Sequence, residues 1–141
     1  KQRGRQGKSG AACLYRQVGN RATVCGNSIG ENCFILEDNT LQPFTSIGNN
    51  VVLWSGNHIG HHGEIRDHVF VTSQVVISGH CIIEPYSFFG VNATIRDYST
   101  IGEGTLVGMG ACLTVQKTEP WSVYSGNPAK KLRDKKSYDL Y

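Results

Sequence analysis

Apolar residues recur at every sixth position over most of this chain. Counting from Ile29, the sixth positions are Ile29, Ile35, Leu41, Ile47, Leu53, Ile59, Ile65, Val71, Ile77, Ile83, Phe89, Ile95, Ile101, Val107 and Leu113, and all fifteen are apolar. With 39% hydrophobic residues in the composition, such a run arises by chance on the order of once in a million. Neither an α-helix nor a flat strand has this period. Four residues beyond each member come Cys33, Asn39, Thr45, Val51, Asn57, Gly63, Val69, Val75, Cys81, Ser87, Ala93, Ser99, Thr105 and Ala111, none bulkier than Val or Asn. Alternating large and small inward positions is what a narrow prism needs to fill without voids. A period of six predicts a parallel β-helix, with three hexads to a coil. The periodic stretch from Ile29 to Thr118 then makes five coils, a prism roughly 24 Å long at the spacing of neighbouring strands. Gly30, Gly48, Gly60, Gly90, Gly102 and Gly108 follow the large apolar positions directly, with Asn32, Asp38, Asn50, Asp67 and Asp97 nearby. These residue types are expected to serve the tight corners between strands.

The hexads at 29–34 (Ile-Gly-Glu-Asn-Cys-Phe) and 101–106 (Ile-Gly-Glu-Gly-Thr-Leu), with the closing Tyr-Ser-Gly-Asn-Pro-Ala-Lys at 124–130, resemble the left-handed β-helix hexapeptide acyltransferases. Within that family, residues 57–62 (Asn-His-Ile-Gly-His-His) and 90–95 (Gly-Val-Asn-Ala-Thr-Ile) are most similar to the bacterial sugar acetyltransferases that modify amino sugars and sialic acids. The resemblance implies an all-β, left-handed parallel β-helix that assembles as a homotrimer, with acetyl-CoA as co-substrate lying between adjacent prisms. Many members of this branch carry an N-terminal nucleotide-sugar-binding domain, which this chain is expected to lack. The expected organisation is a basic N-terminal segment and lead-in strand at 1–20, the β-helix at 21–118, and a closing loop with a short C-terminal helix at 119–141.

Composition narrows the picture further. The 141 residues suit one domain. No apolar run reaches the length of a membrane span, and residues 1–19 contain no stretch like a signal peptide, so a cytoplasmic protein is expected. The five cysteines form no C-x-x-C pair, and Cys33 and Cys81 fall on inward small positions, so they read as reduced packing residues. A net charge of +3 is too slight to suggest nucleic acid as a partner. The first twenty residues hold Lys1, Arg3, Arg5, Lys8 and Arg16 without an acidic residue, which fits either a frayed terminus or an electrostatic contact with a phosphate.

All five histidines lie between 58 and 80. Imidazole suits general-base catalysis because its unperturbed pKa lies near working pH. In the family an imidazole takes a proton from the acceptor amine or hydroxyl as it attacks the acetyl thioester. The resemblance to the bacillosamine-type acetyltransferases puts that base at His61. His62 stands where that relative has Glu, and the two histidines could exchange roles. Gly79, one coil above His61, matches a residue whose backbone meets acetyl-CoA. Val91, Gly108 and Met109 match the wall along which pantetheine runs, and Lys130 the closing loop that approaches the CoA nucleotide. Asn57 and His58 could touch the acceptor, expected to be an amino sugar or nucleotide sugar with a hydroxyl as second choice. His68 and His80 read as surface residues, and His62 and His80, one coil apart, could equally form a plain ladder of stacked surface rings. No cysteine stands where an acyl-enzyme nucleophile belongs, so direct transfer is expected.

Two other readings stand beside this one. Phe70 replaces a His near acetyl-CoA in the bacillosamine-type relative, Gln74 stands where close members often have His, and Arg66 replaces a corner glycine, all of which weaken the match to an active enzyme; Phe70, Gln74 and the expected lack of the N-terminal domain favour a non-catalytic trimeric scaffold or binding module. The γ-class carbonic anhydrases share the fold but space two zinc-binding histidines as H-x-x-x-x-H. His58 to His62 is one residue short of that spacing and His62 to His68 one too long, so no metal is expected.

Overall fold

The computed structural model of the chain describes residues 14–15 and 26–140. Two-residue strands alternate with four-residue corners, and every third strand stacks on the one eighteen residues earlier. Three parallel sheets result. Sheet two contains Ser28–Ile29, Ser46–Ile47, Glu64–Ile65, Ile82–Ile83 and Thr100–Ile101. Sheet one follows in each coil, with Phe34–Ile35, Val52–Leu53, Phe70–Val71, Phe88–Phe89 and Leu106–Val107. Sheet three completes the coil with Thr40–Leu41, His58–Ile59, Val76–Ile77, Thr94–Ile95 and Cys112–Leu113. The expected parallel β-helix of about five coils is the architecture observed. Leu14–Tyr15, within the expected lead-in strand, pairs with Phe34–Ile35 at the open end of sheet one. The remaining residues of that basic segment lie outside the described ones.

Every large sixth position from Ile35 to Leu113 is buried, and Ile29 packs against the same core at its open end. Each inward Ile or Leu contributes about 1.5–3 kcal/mol through burial alone. The small positions finish the interior, several by hydrogen bonding to backbone that faces inward. Thr45 Oγ1 donates to the Gln42 carbonyl at 2.7 Å and Ser87 Oγ to that of Glu84 at 2.9 Å. Cys81 Sγ donates to the Arg96 carbonyl at 3.1 Å. Burial raises the Cys81 thiol above its ordinary pKa, which keeps it protonated and unreactive.

The corners differ from the sequence expectation in an instructive way. The left-handed backbone sits three residues after the large apolar position, at Asn32, Asp38, Phe44, Asn50, His62, His68, Gln74, His80, Tyr86, Asn92 and Tyr98. The glycines directly after the apolar residue have ordinary backbone angles and serve close approach between coils instead. A β-carbon on Gly60 would fall 2.4 Å from the Gly79 nitrogen, and one on Gly90 2.5 Å from the Met109 nitrogen. Left-handed backbone at bulky residues such as Phe44, Tyr86 and Tyr98 costs roughly 1–2 kcal/mol each. Stacking of rings from successive coils offsets that cost.

The closing segment corrects the expected C-terminal helix. After Leu113 the chain crosses the end of the prism, where Thr118 is buried and its Oγ1 accepts from the Gly102 N–H at 2.8 Å. Ser122–Gly126 then joins sheet one beside Leu106–Val107, and Ala129–Lys136 returns antiparallel to it. Among the described residues only Ser137–Asp139 is helical, as one 3-10 turn. Residues 130–136 have adequate helix propensity, but Tyr124 and Ala129 bury against the prism end and the hairpin satisfies the backbone there.

Candidate active site

The turn from sheet three into sheet two brings His61, His62, Gly79 and His80 together. Backbone bonds fix it from both sides. The His61 N–H donates to Gln42 Oε1 at 2.9 Å, and the His61 carbonyl accepts from the His80 N–H at 2.9 Å. The His61 ring lies against the backbone of Gly79: a β-carbon there would sit 2.9 Å from its Cε1 and Nε2. Glycine at 79 is therefore what leaves room for the ring. His62, at φ 55°, belongs to a ladder of four rings. It lies between Phe44 and His80, with centroids 4.9 Å away on each side, and His80 stacks in turn on Tyr98 at 4.6 Å.

His61 Nδ1 and His62 Nδ1 are 3.1 Å apart. One ring must donate from Nδ1 and the other accept there. The donor ring then carries its lone pair on Nε2, and the acceptor ring carries its proton on Nε2. Whichever imidazole donates is thus the one able to act as a base from Nε2. His61 is the ring whose Nε2 lies beside Gly79, and the Gly79 N–H makes no hydrogen bond within the described residues. A nitrogen lone pair can accept a proton, and an amide N–H without a partner on the neighbouring residue is the kind of group that can stabilise a developing oxyanion.

The other expected site residues fall into separate groups. Val91, Gly108 and Met109 meet at the turn from sheet one into sheet three, where Gly110 N–H donates to the Val91 carbonyl at 2.8 Å and Met109 is 79% exposed. Lys130 joins them through the hairpin: it pairs with Ser125, whose Oγ would lie 3.1 Å from a β-carbon on Gly108. Lys130 is exposed, whereas Lys131 is held by Glu119, whose carboxyl it keeps below the usual range. Within one chain, sheet three stands between this corner and the histidines. His58 is on that sheet, with a half-buried side chain. Phe70 stacks on Phe88 with centroids 5.6 Å apart, and Arg66 bridges Glu64 at 2.8 Å and Glu84 at 2.6 Å on the outside of sheet two.

Asn57 lies inside the prism, 1% exposed. Its Nδ2 donates to the Trp54 carbonyl at 2.6 Å and its Oδ1 accepts from the Val75 N–H at 2.8 Å, while its own N–H donates to Asn39 Oδ1 at 3.2 Å. The side chain fastens its own coil to the next, and the backbone N–H ties it to the coil before. Asn57→Ala leaves the buried Val75 N–H without a partner and takes from the Trp54 carbonyl one of its two donors, the other being Asn39 Nδ2 at 2.7 Å, and should destabilise the fold by about 1–3 kcal/mol in chemical denaturation. Gln42 and the rings of Phe44 and Tyr98 were not read as site residues from the sequence, whereas the stacking of His80 on His62 one coil apart was. The signal that could have found them is the eighteen-residue register, which stacks 44, 62, 80 and 98 in one column.

Comparison with known proteins agrees with this architecture. Residues 28–61 match the family described as bacterial transferase hexapeptide (six repeats). The chain is 24% identical over 107 residues to an acyl-(acyl-carrier-protein)-UDP-N-acetylglucosamine O-acyltransferase of Sinorhizobium fredii, covering 71% of this chain and 39% of that protein. A protein of the same name from Burkholderia thailandensis is 29% identical over 130 residues, covering 82% and 49%. The chain thus spans less than half the length of these curated relatives. A solved mutant of perosamine N-acetyltransferase from Caulobacter crescentus, in complex with CoA and GDP-perosamine, superposes with a TM-score of 0.75 at 21% identity, over 77% of this chain and 51% of that one. A putative acetyltransferase of Bacillus cereus gives 0.67 at 25% identity, over 81% and 70%.

Proposed function

We propose that this chain is the β-helix of an acyltransferase that moves an acetyl group from acetyl-CoA to an amino or hydroxyl group of a sugar or nucleotide sugar. The observation that carries the reading is the His61 ring seated against Gly79 with its Nδ1 on His62. His61 Nε2 takes the proton of the acceptor amine or hydroxyl as that group attacks the thioester carbonyl. The Gly79 N–H steadies the oxyanion, the carbon–sulfur bond breaks, and the proton passes from His61 to the departing thiolate. His62 orients His61 and sets its tautomer. His58 faces the acceptor, while Asn57 holds the coils. Val91, Gly108 and Met109 line the path of pantetheine, and Lys130 attracts the CoA phosphates; glycine at 108 and 110 keeps that corner open, with nothing within 4 Å of a β-carbon at Gly110.

The base and the pantetheine wall lie on opposite edges of sheet three, which suits a homotrimer in which each site draws on two prisms. Sheet one supplies a surface for such contacts. Its outward positions are Phe34, Val52, Phe70, Phe88 and Leu106, all apolar, whereas those of sheet two include Ser28, Ser46, Glu64 and Thr100. A continuous apolar face of this kind marks a protein interface. Phe70→Glu should convert the trimer to monomers in analytical ultracentrifugation while the far-UV spectrum stays that of a β-solenoid; a trimer unaffected by the charge would place the interface elsewhere. A cytoplasmic location fits donors such as acetyl-CoA, and no helix of the described residues is long and apolar enough to cross a membrane.

The test is acetyl-CoA binding by calorimetry followed by a screen of amino-sugar nucleotides. Micromolar binding, on the order of 8 kcal/mol, is the expected result. Absence of binding at millimolar acetyl-CoA would leave a non-catalytic scaffold as the reading of this fold. Transfer from an acyl carrier protein but not from acetyl-CoA would retain the chemistry and change the donor.

A further inference from the structure

Three imidazoles from two coils meet at the corner between sheets three and two. One ligating nitrogen from each of His61, His62 and His80 can be chosen so that all lie within 4.8 Å of one another, and the Nδ1 atoms of His61 and His62 are 3.1 Å apart. The ring centroids are separated by 5.3, 5.0 and 4.9 Å. Two imidazoles bound tetrahedrally to one ion, each with a metal–nitrogen bond of about 2.0–2.1 Å, hold their centroids roughly 5 Å apart. The backbone has therefore already set the span that such an ion requires. Ligand spacing within one coil does not reveal this, because the third ring arrives from the next coil, eighteen residues on.

We propose that His61, His62 and His80 form a binding site for a transition-metal dication of the Zn2+ class. An all-imidazole donor set suits Zn2+, Co2+, Ni2+ and Cu2+ and is poor for Mg2+ and Ca2+, which take oxygen ligands. His62 and His80 are parallel to within 9°, so one ring turns about its Cβ–Cγ bond to aim at the ion. That torsion is soft, and the rings of His61 and His62 are exposed and His80 half-buried, which leaves space for the turn. Three protein ligands leave a fourth position for water or a small anion. An ion held here takes up lone pairs that the proposed base needs, so it would hold the transfer site in an inactive form. The binding itself does not depend on the transfer reading.

The test uses untagged protein stripped of metal, titrated with Zn2+ by calorimetry and with Co2+ by visible absorption, both without acetyl-CoA. One ion bound per chain is expected, with the intense visible bands of four-coordinate Co2+. His80→Phe keeps a ring in the stack between His62 and Tyr98 but removes the ligand, and should weaken binding by at least about tenfold. His68→Phe, in the neighbouring corner, should bind as the unsubstituted protein does. Absence of saturable binding, or binding to His80→Phe as tight as to the unsubstituted chain, overturns the proposal. Acetyl-CoA affinity, measured separately on the metal-free protein, reports on the transfer reading alone.

Discussion

On the proposed mechanism, His61→Ala is expected to lower kcat by at least about a hundredfold while leaving acetyl-CoA affinity nearly unchanged. The two effects separate because the ring and the proposed pantetheine wall stand at different corners of the prism. His61 is fixed through its backbone, by Gln42 below and His80 above, and neither bond needs the imidazole. Removing the ring therefore leaves the corner intact and takes away only the proton acceptor beside Gly79. Steady-state kinetics with a responsive acceptor, beside calorimetry with acetyl-CoA, makes the measurement. Unchanged turnover would remove His61 from the mechanism, and a parallel loss of acetyl-CoA affinity would mean that the ring belongs to the donor site.

Phe89→Ala should destabilise the fold by about 3–5 kcal/mol, read from the midpoint of urea unfolding. Phe89 is the one aromatic residue in the large inward column and is fully buried, between Val71 and Val107 in adjacent coils of sheet one. Its neighbours cannot move inward to fill the space. The Gly90 N–H donates to the Val107 carbonyl at 2.8 Å, and the Phe89 carbonyl accepts from the Thr72 N–H at 3.1 Å, so the strands above and below stay at ladder spacing. The cavity then persists at nearly its full volume. A loss below about 1 kcal/mol would show a core that collapses around the missing ring, contrary to a rigid stack of coils.

The hexad period and the His61–Gly79 relation were both legible because each depends on regular eighteen-residue registration. Ile59, Ile77 and Ile95 announce the core by position alone, and Gly79 follows from counting one coil upward from His61. The hairpin at Ser122–Gly126 and Ala129–Lys136 was not legible, since Lys and Leu at 130–132 favour a helix until Tyr124 finds its buried place. Asn57 read as a polar residue facing an acceptor because its type says nothing about which face it occupies. Its column does: residue 57 belongs to the small inward set, and there an amide must bond within the prism.

The sequence by itself determined the repeating unit, the inward residues and the number of coils, because a period of six admits no other regular backbone and burial enforces it at every turn. Only the tertiary structure decided how the side chains that share a corner face one another. His62 lies flat on His80 and tilted against Phe44, while the His61 ring stands edge-on to both histidines, since side-chain torsions and the packing around each ring, not the count of residues, set those angles.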